Sequence, residues 1–143
     1  MRKAILDDLS ELSKMLFIMY NEVQPELASK NINKYVLLAR EHLEKDFVFI
    51  DEDNRGMFIV RDVSLIVLKD KIYDGVSVFI YEEFRKSKLL IQMYDYMFKT
   101  FKGTIIGFTD VNSQHNKVLM KRHNLIGYTY VLNRTKDNKW QGQ

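Results

Sequence analysis

The chain contains no cysteine. Disulfide staples and thiolate metal sites are thereby excluded, and the composition suits a reducing compartment without demanding one. No apolar run reaches the length that spans a bilayer, and the opening MRKAILDD lacks the apolar core of a signal peptide. The expectation is a cytoplasmic protein with no membrane association. An excess of one charge is also missing: 22 basic residues face 19 acidic ones, for a net +3. An excess that small favours solubility over a nucleic-acid footprint, while still welcoming acidic or phosphorylated ligands. Repeats, low-complexity tracts and an interdomain linker are absent, so the 143 residues read as one domain with a sizeable core. Proline occurs once, at Pro25, and breaks the chain between two helical segments.

What is present is organised around residues 75–101. An apolar strand over 76–80 runs into a polar turn, 81–87, and then into a long amphipathic helix. Leu90, Met93, Tyr94, Met97 and Phe101 share one face of that helix, and a stripe of this kind is core rather than a cofactor box. The turn carries Arg85, Lys86 and Lys88 around Ser87. Helix N-termini expose unpaired N–H groups and a partial positive charge. A strand entering a helix through a basic turn is therefore suited to phosphate.

In chain order, residues 2–5 form a first strand. Asp8 and Glu11 have capping-box spacing, and Ile5, Leu9, Leu12, Leu16 and Met19 follow at helical period, so helix one spans about 8–21. Asn31 and Asn33 are cap candidates for a second helix ending near Glu44, with Val36, Ala39 and Leu43 as its stripe. His42, flanked by Glu41 and Glu44, reads as a solvated helix histidine and not a ligand. From Phe47 the period changes to that of strands. FVFID and MFIVRD, separated by the turn cluster 52–56, form an antiparallel hairpin. The third ribbon falls on 57–62, on the apolar run 65–68, or on both, and Asp74-Gly75 opens the central strand.

Lys102-Gly103 ends the long helix, and TIIGFT, residues 104–109, is a short buried strand parallel to the central one. Asn112, Ser113 and Asn116 open a last helix containing Val118, Leu119 and Arg122 or His123. Gly127 stops it, 128–133 form a final strand, and 134–143 are a polar tail. The expected fold is a single α/β domain with a mixed sheet, in the order β-α-α-β-β-β-α-β-α-β.

At this point the chain resembles the GCN5-related N-acetyltransferases, the GNAT family. RKAILDDLSELSKML is similar to their first strand and helix. Tyr81-Glu82-Glu83-Phe84-Arg85-Lys86-Ser87-Lys88-Leu89-Leu90 falls without a gap on their central HPEYRGKGIG-like segment, with Phe84-Arg85 on the family's Tyr-Arg. Asn116, His123 and Gly127-Tyr128 keep the spacing of their last signature. The likeness spans nearly the whole chain. It implies a sheet antiparallel except for a splayed central parallel pair, and an acetyl-CoA donor with no metal. The family's loop glycines are replaced here by Lys86, Lys88 and Leu90. A Cβ crowds such a loop if positive φ or close ligand approach is needed, and the two lysines either restore attraction for phosphate as point charges or are solvated charges on a loop that binds nothing.

The resemblance further implies that Phe79 and Ile80, the turn residues Arg85, Lys86, Ser87, Lys88 and Leu89, and Asn116 hold the coenzyme. A backbone N–H of strand 76–80 would polarise the thioester carbonyl. His123 takes the position of the family's acidic Tyr and is either the proton donor to the thiolate or a half-exposed helix residue. Glu82 or Glu83 is either the base or a partner of Lys86 or Lys88.

Two functions compete with acetyl transfer to an amine of a protein, peptide or small molecule. One is the same fold kept as a binding module, as in a phage or mobile-element protein. The other is nucleic-acid binding through Tyr94, Tyr96, Phe98 and Phe101, which helical spacing places in the core instead. The acceptor side falls to residues 21–33 and 63–73, and an edge strand at 128–133 would allow a homodimer.

Overall fold

The computed structural model describes residues 1–102 and the backbone of 104–107. The elements are β1 Arg2–Lys3, α1 Leu9–Val23, α2 Ile32–Lys45, β2 Phe47–Ile50, β3 Gly56–Asp62, β4 Ile72–Ile80, α3 Leu89–Thr100 and β5 Thr104–Gly107. The strands form one sheet in the order β1-β2-β3-β4-β5. Neighbours from β1 to β4 are antiparallel, and β4 pairs with β5 in parallel. This is the mixed α/β sheet expected from the sequence. The helix, strand and tail expected over 112–143 lie outside the described residues.

Period-two alternation divides the sheet into two faces. Val48, Ile50, Met57, Ile59 and Phe79 pack against Leu12, Met15 and Leu16 of α1 and Tyr35 and Ala39 of α2. The opposite face presents rings to α3. Phe49 stacks on Phe58 at 5.0 Å and meets Tyr96 at 5.4 Å. Phe101 closes on Phe47 at 5.2 Å and on Tyr73 at 4.9 Å. Each fully buried side chain of this size stabilises the fold by about 1.5–3 kcal/mol. Burial also pushes the Tyr94 phenol on α3 up to about 12.

The β2–β3 turn is built by Asp51. Its carboxylate accepts from the amides of Asp53 and Arg55 and from the Arg55 guanidinium, at 2.7 Å from Nε and 3.0 Å from Nη2. Asn54 takes the left-handed conformation at φ 56°, which Asn tolerates better than most residues. Gly56 follows because a Cβ there would stand 2.5 Å from the Phe79 carbonyl oxygen.

Several expectations need correction. Asp8 does not cap α1 with its side chain. Its carboxylate turns back to the Ile5 amide at 2.8 Å and to the Arg2 guanidinium at 2.7 and 2.8 Å. That fork from Arg2 holds the Asp8 carboxyl below the usual range, against the opposing effect of burial. Asn31 does cap α2, accepting from the Asn33 amide at 3.1 Å. The buried residues of α2 are Tyr35, Ala39 and His42: Ala39 is as expected, while Tyr35 and His42 take the places expected of Val36 and Leu43. His42 is therefore not solvated. It is buried, with Nδ1 2.7 Å from Asp46, because the carboxylate at the helix end gives the ring a polar partner.

Of the two places open for the third ribbon, 57–62 is the strand, within β3, and residues 65–68 are not a strand. They form a turn closed by the Leu68 amide on the Leu65 carbonyl at 3.0 Å, with Leu65, Ile66 and Val67 exposed. Asp74-Gly75 does not open β4 but lies inside it, opposite Arg61 and Val60, beside an irregularity in the register. Among the described residues, no helix is long and apolar enough to cross a membrane.

Candidate functional site

The site is built where β4 ends. Phe79 and Ile80 are both buried through their side chains, so this strand offers a ligand its backbone. The Tyr81 amide then donates to the Arg55 carbonyl at 2.9 Å, pinning the strand end to the β2–β3 turn. Residues Glu82–Phe84 make one 3-10 turn, which turns the chain away from the sheet. Ser87 closes the bend: its amide and hydroxyl both reach the Phe84 carbonyl, at 3.1 and 2.6 Å. The Ser87 oxygen accepts from the Leu89 amide at 3.2 Å, and α3 starts there.

The missing glycines cost the backbone nothing. Among the described non-glycine residues only Asn54 has positive φ, and Lys88 sits at φ −77°, ψ 3°. Lys86, Ser87 and Lys88 are exposed, so the lysine stems do not fill the corner. Leu89 and Leu90 are buried with Met93, Tyr94 and Met97 on the core face of α3. The turn thus presents two ammonium groups and a helix start to solvent. A diphosphate fits that donor set through the lysines and the first-turn amides, competing with Ser87 for the Leu89 amide. Within the described residues, β5 pairs with β4 as far as Gly75 and Gly107, short of Val76–Ile80, where the thioester would lie.

Other candidates are placed differently. Glu82 and Glu83 are exposed on the 3-10 turn, and neither is within ion-pair distance of Lys86 or Lys88. Arg85 points back along the chain. Its Nε donates to the Ile80 carbonyl at 2.8 Å, its Nη2 reaches Glu22 of α1 at 2.6 Å, and its guanidinium lies 5.8 Å from the Phe79 ring centre. His123 and Asn116 lie outside the described residues. Residues 63–71 precede β4, at the opposite end of a nine-residue strand from the turn. That separation is about 26 Å at strand rise.

The sequence did not reveal what α1 contributes. Tyr81 donates to Glu11 at 2.8 Å while Lys14 lies 5.4 Å from its ring centre. Burial, then the Glu11 carboxylate, raise the Tyr81 phenol far above its usual range, so it stays protonated at neutral pH. Glu11 and Glu22 are eleven residues apart, close to three full helical turns, and therefore share a face. That spacing is visible in the sequence, but their partners 70 and 63 residues away are not.

Among the described residues, no cluster of three or more His, Asp or Glu is arranged to hold a metal ion. No protein-family model and no curated protein matches the sequence. Solved structures do. A possible acetyltransferase from Clostridium difficile 630 superposes with TM-score 0.72 at 11% identity, over 94% of this chain and 96% of that one. The chain has a GNAT-like fold. Ribosomal-protein-alanine N-acetyltransferase from Brucella melitensis biovar Abortus 2308 shares this fold with TM-score 0.65 at 12% identity, over 94% and 96% of the two chains. AAC(6')-Iy in complex with the bisubstrate analogue CoA-S-monomethyl-acetylneamine matches with TM-score 0.66 at 11% identity, over the same shares. Identities this low establish a common GNAT-like fold and leave the activity to the chemistry of the turn.

Proposed function

We propose that the protein is an N-acetyltransferase that moves an acetyl group from acetyl-CoA to an amine of a protein, peptide or small molecule. The observation that carries this reading is the exposed turn Lys86-Ser87-Lys88, which joins β4 to α3 without positive φ. Lys86, Lys88 and the first amides of α3 would hold the diphosphate, and the backbone of Phe79 and Ile80 would face the thioester. In the transfer a C–N bond forms as the C–S bond breaks. The amine loses a proton to Glu82, Glu83 or water, and the thiolate takes one from His123. The Tyr81 phenol remains a donor to Glu11 and supplies no base at neutral pH.

A second reading keeps the fold as a binding module without transfer. It is favoured by the tie from Ser87 to the Leu89 amide, which satisfies internally a donor that phosphate would use. Incubation with acetyl-CoA and a panel of amines, followed by thiol release and product mass, separates the two. The enzyme reading expects an acetylated product and a turnover slowed about 100-fold or more by His123→Ala, with coenzyme affinity nearly unchanged. Coenzyme binding without thiol release across the panel supports the binding module.

A further inference from the structure

We propose that Arg85 is a positioning residue, not a phosphate ligand, and that it works as a latch between α1 and the coenzyme turn. This deepens the reading above and rests on it. The two ends of the guanidinium are engaged within the protein. Nε holds the Ile80 carbonyl at 2.8 Å, and Nη2 holds Glu22 at 2.6 Å. Its Cζ also lies 5.8 Å from the Phe79 ring centre. Strand end, turn and α1 therefore meet in one side chain. Three helical turns earlier, Glu11 receives the Tyr81 hydroxyl at 2.8 Å. The segment between Tyr81 and Arg85 is thus gripped at both ends by one face of one helix.

This arrangement has a chemical consequence. A guanidinium already paired with a carboxylate has little attraction left for phosphate, so the anion falls to Lys86 and Lys88. What Arg85 fixes is the direction of the Ile80 carbonyl and the approach of the chain to α3. The α1 end that carries Glu22 leads directly into the loop before α2. Asn21 fastens that loop through the Ser29 carbonyl at 3.2 Å. A change in that loop would reach the coenzyme turn through Glu22.

The test is a double-mutant cycle of Glu22→Ala and Arg85→Met, read by calorimetric titration with CoA and by hydrogen–deuterium exchange of the ligand-free protein. A latch predicts that each single variant weakens CoA about fivefold, near the ceiling for a surface ion pair. The double variant should then be no weaker than either single one. Exchange should rise in peptides covering residues 80–88 in both variants and stay unchanged elsewhere. A loss of 30-fold or more for Arg85→Met with Glu22→Ala at wild-type affinity would make Arg85 a direct ligand and overturn the proposal. Unchanged exchange at 80–88 in both variants overturns it too. Faster exchange there in both variants, together with a wild type that does not bind CoA, supports the latch while refuting the transferase reading.

Discussion

Asp46→Ala should destabilise the protein by about 3 kcal/mol and lower Tm by roughly 10 °C in a thermal melt. The Asp46 side chain is 1% exposed and takes three hydrogen bonds: from Arg61 at 2.8 and 3.1 Å, and from His42 Nδ1 at 2.7 Å. Its removal leaves a buried imidazole with no partner on either nitrogen among the described residues, because His42 Nε2 already has none. A buried polar group stripped of its partner loses its full desolvation cost, which exceeds what a formed hydrogen bond contributes. Arg61 softens the loss, since its side chain is 47% exposed and water can solvate the freed charge.

The same site sets a pH dependence. Burial pushes the Asp46 carboxyl up, but the bonds from Arg61 and His42 outweigh it and leave the carboxyl below its usual range. A carboxylate with a lowered folded pKa contributes its stability above the unfolded pKa, near 4. That contribution is lost as the pH falls through the folded value. Acid denaturation below pH 4 should accordingly be shallower in Asp46→Asn than in the wild type.

The double substitution Lys86→Glu and Lys88→Glu should weaken acetyl-CoA by about 30-fold or more at moderate salt. Two attractive charges become repulsive, each reversal amounting to about 1–2 kcal/mol near a hydrated surface. Both side chains are exposed, so folding stability should stay within about 0.5 kcal/mol of the wild type. The wild-type affinity should fall with rising salt more steeply than that of the variant. Unchanged affinity would move the diphosphate away from this turn.

The strands, α3 and the turn were legible because each has its own short-range signal. FVFI and GMFIV are β-rich apolar runs on either side of an Asp-Asn-Arg turn, and Leu90, Met93, Tyr94 and Met97 keep a helical period. The errors came from partners distant in sequence. His42 sits between two glutamates and reads as solvated until Arg61 completes the Asp46 site from fifteen residues beyond it. Asp74-Gly75 has the composition of a turn, yet it pairs with Arg61 and Val60 of β3, beside an irregularity in the register. LIVL at 65–68 has the composition of a strand, yet it forms an exposed turn closed by the Leu68 amide on the Leu65 carbonyl.

The candidate site divides along the same line. The basic turn could be read from Arg85 to Lys88 as a string. The fixing of Arg85 by Glu22, and of Tyr81 by Glu11, required the fold. The glycine replacements argued against a phosphate loop partly through a need for positive φ, and that part falls away because the turn is free of it.

The most direct measurement is calorimetric titration of CoA into the wild-type protein, repeated with 3′-phosphoadenosine lacking the diphosphate. Saturable one-to-one binding of CoA in the micromolar range, and at least about tenfold weaker binding of the truncated ligand, is the expected result. No heat of binding at millimolar CoA would contradict the account, and so would equal affinity for the two ligands.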